Sequence, residues 1–401
     1  MAKKNYRQVP MTEKGFFGFE RENLRIRPDG SLALTPHPAS LGDKRTNKEI
    51  TTDFSESQIE IVTPVASTIP EAVRQMNRLT RTVYFAIGSE LLWPFSSPPD
   101  RLPPEEQIPI ADFGPAGRDK TDYRIYLANK YGRRRQLFCG LHFNFSFDRR
   151  QLEQIFDSME SMNRFYLHLA AQTMRYRFFL VYLLAASPQV RSDGKYRSIR
   201  LGVHGYRNLV PIYLDYRDSD HYRSSLQSYI NDGTLEAARE LYLPVRIKGN
   251  GFENSTETAK VERVELRIAD LNPFYPCGIN PDDLYLMHLF LMWAAYSNDG
   301  PFDRSAQIEA DALADAAARM SASAELKASM APMFDRLQTF LIRNQLSDSY
   351  RQALLHARQR WLCPEQRYAE RIAAQLQGDQ ALQLARQMKH FFLSKTKHPC
   401  R

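Results

Sequence analysis

The sequence predicts an α+β fold, and three observations support this class. Several short segments alternate polar and apolar residues with period 2, which is typical of half-buried strands. Longer segments between them place apolar residues at helical spacing, and from residue 301 to the end the pattern is helical throughout. The chain has 401 residues, 43% of them hydrophobic, which is enough for a large core.

The first predicted strand carries two carboxylates where a buried strand normally carries apolar residues. With period 2, Glu20 and Glu22 lie on one face of residues 18–26, whereas Phe19 and Arg21 lie on the other. Two close acids repel each other and are costly to desolvate unless a cation lies between them. The pattern indicates either a divalent metal site or a solvated charged edge, and only its repetition in later segments favours the metal.

A turn, a second polar strand and a helix follow. Residues 27–31 contain a proline and a glycine at positions typical of a turn, and residues 32–34 are expected to begin a returning strand. A strand is predicted over residues 56–62 and a helix over residues 70–92. This region offers a second group of acids: Asp53, Glu56 and Glu60.

The middle of the chain contains an irregular segment, a helix and a third polar strand. Residues 95–119 are rich in proline and glycine, and irregular segments of this length are usually functional. A helix is predicted over residues 120–131 and a strand over residues 136–147, where His142 and Asn144 oppose the apolar positions. A lone histidine on a strand is more often structural, but a complete polar face favours a functional one.

Apolar helices dominate the next part of the pattern. Residues 152–186 are predicted to form one long helix or two consecutive helices, and residues 222–241 a further helix. A polar loop is expected over residues 248–258. The helix predicted over residues 283–296 has Asn280 as its N-cap, followed by a proline.

A fourth polar strand is predicted over residues 261–270. Glu265 shares a face with Arg263 and Arg267, so an acid lies beside guanidinium groups. This combination suits a metal and a phosphate that lie side by side. A salt bridge along the strand explains the same pattern equally well on this segment alone.

The chain is expected to divide into two parts. Residues 1–300 hold the polar strands and are expected to form the catalytic core. Residues 301–401 are expected to form a helical part packed on that core, with breaks near 321–323, 346–348 and 377–379.

Composition restricts the cellular location and the partners. The net charge is +8, but the basic residues are dispersed, so an anionic small molecule is expected as a partner and nucleic acid is not. The four cysteines lack metal or disulfide spacing, and no secretory signal is visible. Apolar runs fall short of the about 20 residues that a membrane span needs. A cytoplasmic protein with no membrane partner is therefore expected.

Together, the polar faces of these strands form one candidate site. Acids with a single histidine match a site for hard cations, in which oxygen ligands dominate. Magnesium rarely takes so many carboxylates alone, so two or three ions that bridge a polyphosphate are expected. Bidentate partners for carboxylates and phosphates are supplied by Arg124, Arg200, Arg246 and Arg267. The set predicts phosphoryl transfer to or from a carboxylate.

Six segments match one family in type and order across residues 14–296. They are Phe19-Glu20-Arg21-Glu22-Asn23-Leu24-Arg25; Thr51-Thr52-Asp53-Phe54-Ser55-Glu56 with Glu60; Gly140-Leu141-His142-Phe143-Asn144-Phe145-Ser146; Ser198-Ile199-Arg200 with Gly205-Tyr206; Leu241-Tyr242 with Pro244; and Val264-Glu265-Leu266-Arg267 with Asp270-Leu271-Asn272-Pro273-Phe274. The chain thereby resembles the bacterial glutamate–cysteine ligase (γ-glutamylcysteine synthetase) family. It is most similar to a compact form, the ligase half of bifunctional glutathione synthetases.

The resemblance implies a glutamine-synthetase-like fold, in which a curved antiparallel sheet forms a funnel flanked by helices. It implies that ATP phosphorylates the side-chain carboxylate of L-glutamate and that the amine of L-cysteine then attacks the γ-glutamyl phosphate. The implied cofactors are ATP and two or three Mg²⁺ ions, with Mn²⁺ as an alternative. By motif position, the metal ligands would be Glu20, Glu22, Asp53, Glu60, His142 and Glu265.

The resemblance also implies the substrate contacts. Arg267 would face the transferring phosphate beside Glu265, and Arg200 would bind the α-carboxylate of glutamate. Arg124 is expected as a further substrate contact because its guanidinium can pair with carboxylates and phosphates. The acceptor cysteine would lie among Phe54, Tyr123, Leu127, Gln136, Tyr206 and Tyr242. Gly202-Val203 stands where the family pattern has Ser-Asp, a departure that puts the contacts to glutamate or to the acceptor in doubt.

Two alternatives to this function stay open. The same ligase chemistry could use another small amino acid or amine as acceptor. A homologue that has lost catalysis could act as a binding or regulatory module, although the presence of all implied metal ligands argues against it. Because no ATP-grasp domain is visible in the sequence, a separate glutathione synthetase is expected where glutathione is made.

Overall fold

The computed structural model describes residues 13–252, 258–376 and 378–394. The strands in these ranges are β1 (Gly15–Ile26), β2 (Ile50–Thr52), β3 (Gln58–Val62), β4 (Leu91–Leu92), β5 (Gly140–Phe147), β6 (Gln189–Arg191), β7 (Gly194–Tyr196), β8 (Val245–Asn250) and β9 (Lys260–Asp270). The α-helices are α1 (Ile69–Ala86), α2 (Arg118–Tyr131), α3 (Arg149–Ile155), α4 (Met159–Tyr176), α5 (Phe178–Leu184), α6 (Ser219–Asn231), α7 (Pro281–Tyr296), α8 (Arg304–Ala318), α9 (Ala324–Arg343), α10 (Asp348–Leu362), α11 (Tyr368–Gln375) and α12 (Asp379–Ser394).

One antiparallel sheet organises the fold. Its strand order is β2-β3-β1-β5-β9-β8, and β4 pairs with the end of β1. The hairpin β6-β7 forms a separate two-stranded sheet. The main sheet is curled and helices flank it, so the predicted α+β class with a curved antiparallel sheet is confirmed.

The strand register places the predicted polar positions next to one another. Residues that lie directly opposite on antiparallel strands project from the same face of the sheet. The opposed pairs are Glu22 with Glu60, Glu20 with His142, and Asn144 with Glu265. One face therefore collects acids and a histidine from β1, β3, β5 and β9.

The opposite face of the sheet is apolar and packs against helices. The rings of Phe19 and Phe143 stack at 5.5 Å, and Phe17 and Phe145 contact His288 of α7 at 4.9 and 4.4 Å. Burial lowers the pKa of His288 to about 3. The imidazole is therefore neutral at physiological pH and packs as part of the core.

Glycines and local turns account for several boundaries that the sequence analysis misplaced. The helix predicted over residues 70–92 begins after the N-cap Thr68 but ends at Ala86, because the chain reverses at Gly88, which has φ 56°. Residues 91–92, at the end of the predicted helix, form β4 instead. The strand predicted over 136–147 begins only at Gly140, since residues Arg135–Leu137 form a 3-10 turn. Residues 32–34 make an isolated bridge and no strand.

Three more segments differ from their predicted form. The predicted loop 248–258 begins inside β8, and its residues 253–257 lie outside the described ranges. The predicted helix 222–241 is α6 followed by a 3-10 turn at Ala238–Glu240. Residues 152–186 form α3, α4 and α5, because residues 156–158 are extended and the Ser158 side chain caps the next helix.

Helices α8 to α12 pack around the core, and the predicted breaks near 321–323 and 346–348 are present. The predicted break near 377–379 includes residue 377, which lies outside the described residues. Asp283 of α7 forms a buried ion pair with Arg360 of α10 and accepts a hydrogen bond from the Tyr368 hydroxyl at 2.8 Å. The division at residue 300 remains a prediction. Every helix in the described ranges is too short or too polar to cross a lipid bilayer.

We expect Arg360→Met to destabilise the protein by about 3 to 5 kcal/mol, because it leaves the buried Asp283 carboxylate without its cation. Urea unfolding of the purified chain measures this change. Arg351→Met is the matched control, since Arg351 lies on the same helix in an exposed pair with Asp348 and should cost about 1 kcal/mol or less. Equal losses in both variants would show that the buried pair does not anchor α10 to the core.

Candidate active site

His142 lies at the centre of a cluster of carboxylates on the polar face of the sheet. Its Nδ1 atom is 3.2 Å from Glu20 Oε2 and 3.8 Å from Glu265 Oε1, and its Nε2 atom is 3.7 Å from Glu22 Oε1. One ligand atom from each of Glu20, His142 and Glu265 lies within 4.8 Å of the others. The distances are short enough for one cation to contact all three side chains.

A second group of acids adjoins this cluster. Glu22 is buried, accepts a hydrogen bond from the Gly140 backbone at 3.1 Å and interacts electrostatically with Asp53. Loss of hydration raises the pKa of Glu22, and loss of hydration with repulsion from Asp53 and Glu20 raises the pKa of Glu60 well above its usual range. The protein thus concentrates carboxylates that repel one another, an arrangement that a bound cation stabilises.

Two cationic side chains lie beside the carboxylate oxygen of Glu265 that points away from His142. Arg267 Nε donates to Glu265 Oε2 at 3.0 Å, and Lys248 Nζ lies 3.7 Å from the same oxygen. Burial acts to raise the pKa of Glu265, but Arg267 and Lys248 outweigh it and hold the pKa well below its usual range. Glu265 is therefore ionised and available as a metal ligand, with cations beside it that can bind a phosphate.

The donor set fits magnesium. Carboxylate oxygens dominate it, a single imidazole is present, and the repulsion among Glu20, Glu22 and Glu60 falls when divalent cations bind. The six side chains implied as ligands come from four strands and the segment before β3. The structure brings them together in one group, the acid cluster: Glu20, Glu22, Asp53, Glu60, His142 and Glu265.

Glu56 does not join this cluster, although the sequence analysis grouped it with the neighbouring acids. Its carboxylate forms an ion pair with Lys44 and accepts hydrogen bonds from the backbone nitrogens of His37 and Asp112, both at 2.8 Å. These contacts connect the loops on either side of it. Glu56 therefore holds loops together.

Five of the predicted acceptor contacts form one group, the aromatic cluster. Phe54, Leu127 and Tyr242 are buried together, and Tyr123 and Tyr206 pack against them. The rings of Tyr206 and Tyr242 lie 4.2 Å apart. The hydroxyls of Tyr123 and Tyr242 are buried next to each other, and neither makes a well-aligned hydrogen bond. Polar groups of this kind favour a polar ligand beside an otherwise apolar wall.

The remaining predicted substrate residues occupy separate positions around this cluster. Gln136 is buried in the turn before β5, and Arg124 Nε donates to the backbone oxygen of Asp53. Arg200 is buried, lies 3.7 Å from Asp270 and occupies the space that a side chain at residue 140 would need. Gly140 is thus required for the approach of the Arg200 guanidinium to the sheet.

A cavity of about 300 Å³ lies beside Arg267 and two rings of the aromatic cluster. Arg200, Tyr206, Tyr242 and Arg267 all line it, and helices α4, α5 and α8 form its far wall. This volume lies at the lower end of the range for small-molecule sites. The cavity connects the arginine beside the acid cluster with the aromatic cluster.

Two side chains that support the acid cluster were not predicted from the sequence. Lys248 fell in a predicted loop, although Arg246 and Lys248 alternate with apolar residues as the strand β8 requires. Asn144 was recognised as polar but given no role. Its Nδ2 atom donates to Glu20 at 3.0 Å, and its Oδ1 atom accepts from Arg263 at 2.9 Å.

Comparison with known proteins gives the family. The sequence profile described as glutamate-cysteine ligase matches residues 2–200 and 195–315. A glutamate–cysteine ligase of Clostridium acetobutylicum is 32% identical over 357 residues, which cover 73% of this chain and 74% of that protein. The chain belongs to the glutamate–cysteine ligase family. The resemblance described from the sequence motifs is confirmed.

Bifunctional relatives are similar to this chain over part of their length. A glutathione biosynthesis bifunctional protein of Listeria welshimeri is 36% identical over 401 residues, covering 90% of this chain and 52% of the relative. The chain thus spans about half the length of this curated relative. The crystal structure of a bifunctional glutathione synthetase from Pasteurella multocida has a TM-score of 0.87 at 27% identity, covering 96% of this chain and 53% of that one.

A further solved structure shares the fold. Glutamate–cysteine ligase from Francisella tularensis, in complex with AMP, has a TM-score of 0.84 at 24% identity and covers 96% of this chain and 90% of that chain. The predicted arrangement of a curved antiparallel sheet flanked by helices is therefore shared with glutamate–cysteine ligases.

Proposed function

We propose that this protein is an ATP-dependent ligase that joins the γ-carboxylate of L-glutamate to the amine of L-cysteine. The observation that carries the proposal is the cluster of Glu20, His142 and Glu265 beside Arg267, in a chain of the glutamate–cysteine ligase family. The products are γ-glutamylcysteine, ADP and phosphate. ATP as the phosphoryl donor also agrees with the AMP-bound relative from Francisella tularensis.

Magnesium ions would be held by the six side chains that form the acid cluster: Glu20, Glu22, Asp53, Glu60, His142 and Glu265. When bound, such ions neutralise the charge of the ATP phosphates during transfer. Asn144 keeps the Glu20 carboxylate oriented through its hydrogen bond, and the Gly140 backbone does the same for Glu22. Two or three ions suit this number of carboxylates, and Mn²⁺ prefers similar ligands.

The arginines would position the two anionic substrates. Arg267 is fixed by Glu265 and lines the cavity, so its remaining N–H groups can donate to the transferring phosphoryl group. Arg200 lines the same cavity and would bind the α-carboxylate of glutamate. Arg124, beside Asp53, would be a further contact to substrate.

The proposed reaction has two steps. A γ-carboxylate oxygen of glutamate attacks the terminal phosphorus of ATP, the bond from that phosphorus to the bridging oxygen breaks, and ADP leaves. The cysteine nitrogen then attacks the γ-carbonyl carbon, the bond from that carbon to the phosphorylated oxygen breaks, and phosphate leaves. The amine loses a proton, and no oxidant or reductant is needed.

The aromatic cluster would bind the acceptor amine. Phe54, Leu127 and the rings of Tyr206 and Tyr242 offer apolar contacts for a short side chain, and the buried Gln136 is the sixth predicted contact. The buried hydroxyls of Tyr123 and Tyr242 offer hydrogen bonds to its polar groups. Cysteine fits both features, because it combines a small polarisable side chain with a carboxylate. The separate glutathione synthetase expected from the sequence remains a prediction.

Phosphate release from ATP in the presence of Mg²⁺ and L-glutamate tests the proposal. The acceptors to compare are cysteine, alanine, 2-aminobutyrate and other small amines, with mass spectrometry of each product. We expect strong preference for cysteine. Turnover with a different amine would assign the alternative function of another γ-glutamyl ligase, and no turnover with any amine would contradict ligase function.

We expect Tyr242→Phe to raise the KM for cysteine by about 10-fold while kcat changes by less than about 3-fold, because one uncharged hydrogen bond is lost in binding. Initial-rate kinetics with cysteine as the varied substrate measure the change. Tyr285→Phe on α7 is the control, since this ring packs against Tyr350 far from the cluster. An unchanged KM in Tyr242→Phe would remove Tyr242 from the acceptor site.

A further inference from the structure

Glu240 is a fully buried carboxylate that lies outside the acid cluster and that the reaction does not use directly. Its Oε1 atom accepts a hydrogen bond from the Tyr131 hydroxyl at 2.6 Å and forms an ion pair with Lys130. Its Oε2 atom accepts from the Tyr126 hydroxyl at 3.1 Å and from the Glu236 backbone at 2.6 Å. The carboxylate is therefore saturated with donors.

Three of these donors belong to α2, which also supplies Tyr123 and Leu127 to the aromatic cluster. Only Leu127 and Tyr131 are buried among the residues of this helix. Apolar burial on this helix is therefore confined to the side chains that join the aromatic cluster. The polar contacts of Glu240 attach the C-terminal end of the helix through Tyr126, Lys130 and Tyr131.

Glu240 is also linked to the opposite wall of the cluster. The side-chain nitrogen of Asn208 donates to the Glu240 backbone oxygen at 2.8 Å and to the Tyr131 hydroxyl at 3.1 Å. The side-chain oxygen of Asn208 accepts from the Tyr242 backbone at 2.9 Å. The segments that carry Tyr206 and Tyr242 are thereby tied to the same point as α2.

We propose that Glu240 is a positioning residue that sets the distance between the two walls of the acceptor pocket, and so selects among acceptor amines. This inference rests on the proposed ligase function. The wall from α2 carries Tyr123 and Leu127, and the wall from the two loops carries Tyr206 and Tyr242. Displacement of a binding wall by about 1 Å is enough to change a rate about 100-fold.

The test uses Glu240→Gln, which keeps the shape of the side chain, removes the charge that pairs with Lys130 and replaces one accepting oxygen with an NH₂ group that cannot accept a hydrogen bond. We expect the KM for cysteine to rise about 10- to 100-fold, with the KM values for ATP and glutamate changed less than about 3-fold. The preference for cysteine over 2-aminobutyrate should fall. Glu153→Gln is the control, because Glu153 lies on α3 in an exposed pair with Arg149, and it should leave all three KM values unchanged.

Hydroxylamine separates this inference from the function on which it rests. It is too small to need the pocket walls, so formation of γ-glutamyl hydroxamate should be unchanged in Glu240→Gln. Absence of hydroxamate with the unaltered protein would reject the ligase function itself. Suppose that the unaltered protein forms both the dipeptide and the hydroxamate. The positioning role would then be overturned if the variant had an unchanged KM for cysteine, or if it lost both reactions equally.

A milder variant keeps the inference testable if Glu240→Gln does not fold. Tyr131→Phe removes one hydrogen bond to Glu240 and keeps the ring that lies 5.5 Å from Tyr242. We expect the cysteine KM to rise by about 3- to 10-fold, with hydroxamate formation unchanged. A folded Tyr131→Phe variant with an unchanged cysteine KM would contradict the proposal.

Discussion

Glu265→Ala is expected to lower kcat by about 1,000-fold or more, because a buried metal ligand supplies several kcal/mol of transition-state stabilisation. Glu265 is 1% exposed and contacts His142, Arg267 and Lys248. Its removal also leaves two cations without their carboxylate, so magnesium binding should weaken. Steady-state kinetics with saturating ATP, glutamate and cysteine measure the loss.

Glu262→Ala is the matched control for this prediction. Glu262 lies on the same strand, at the irregularity where the register between β8 and β9 shifts, and forms an exposed pair with Lys260. Its kcat should stay within about 2-fold of the unaltered protein. A folded Glu265→Ala protein with near-normal kcat would show that the metal assignment is wrong, and thermal unfolding establishes that the variant is folded.

Arg267→Lys is expected to lower kcat by about 100-fold, which is the second largest effect. Lysine keeps the charge but loses the forked donors that hold both Glu265 and an anion at once. Removal of one donor to a developing charge typically costs about 100- to 1,000-fold. Because the interaction strengthens in the transition state, kcat should fall more than the KM for ATP rises.

The control for Arg267→Lys is Arg336→Lys, an exposed position on α9 that pairs with Asp299. It should leave kcat unchanged within about 2-fold. If Arg267→Lys retained normal kcat and instead raised only the KM for glutamate, Arg267 would be a substrate contact with no role in phosphoryl transfer.

The sequence could predict the acid cluster because its members lie on strands. Period 2 fixed the face of Glu20, Glu22, Glu60, His142 and Glu265 before any pairing was known. Antiparallel pairing of β1 with β3 and β5 then brings them together. Glu56 could not be separated from the true cluster, since its contact with Lys44 depends on the path of a loop.

The aromatic cluster was not predictable from periodicity. Tyr123 and Leu127 lie on a helix, while Phe54, Tyr206 and Tyr242 lie on loops, so no common spacing relates them. Only the family resemblance named these residues. The structure places five of them together, and their roles remain proposals.

Elements that end at a turn were the least predictable. The apolar residues after Gly88 continue the helical pattern of α1, but the positive φ at that glycine reverses the chain into β4. Glu240 was hidden for a similar reason. The predicted helix 222–241 ran through it, whereas the chain leaves α6 at Asn231 and returns in a separate turn.

The most direct test of the central claim is transfer of oxygen-18 from glutamate to phosphate. Glutamate labelled in its side-chain carboxylate is incubated with ATP, Mg²⁺ and cysteine, and the phosphate and dipeptide are analysed by mass spectrometry. The proposed reaction predicts γ-glutamylcysteine together with phosphate that carries a single labelled oxygen. Unlabelled phosphate would contradict phosphorylation of the carboxylate, and with it the proposed role of the acid cluster and Arg267.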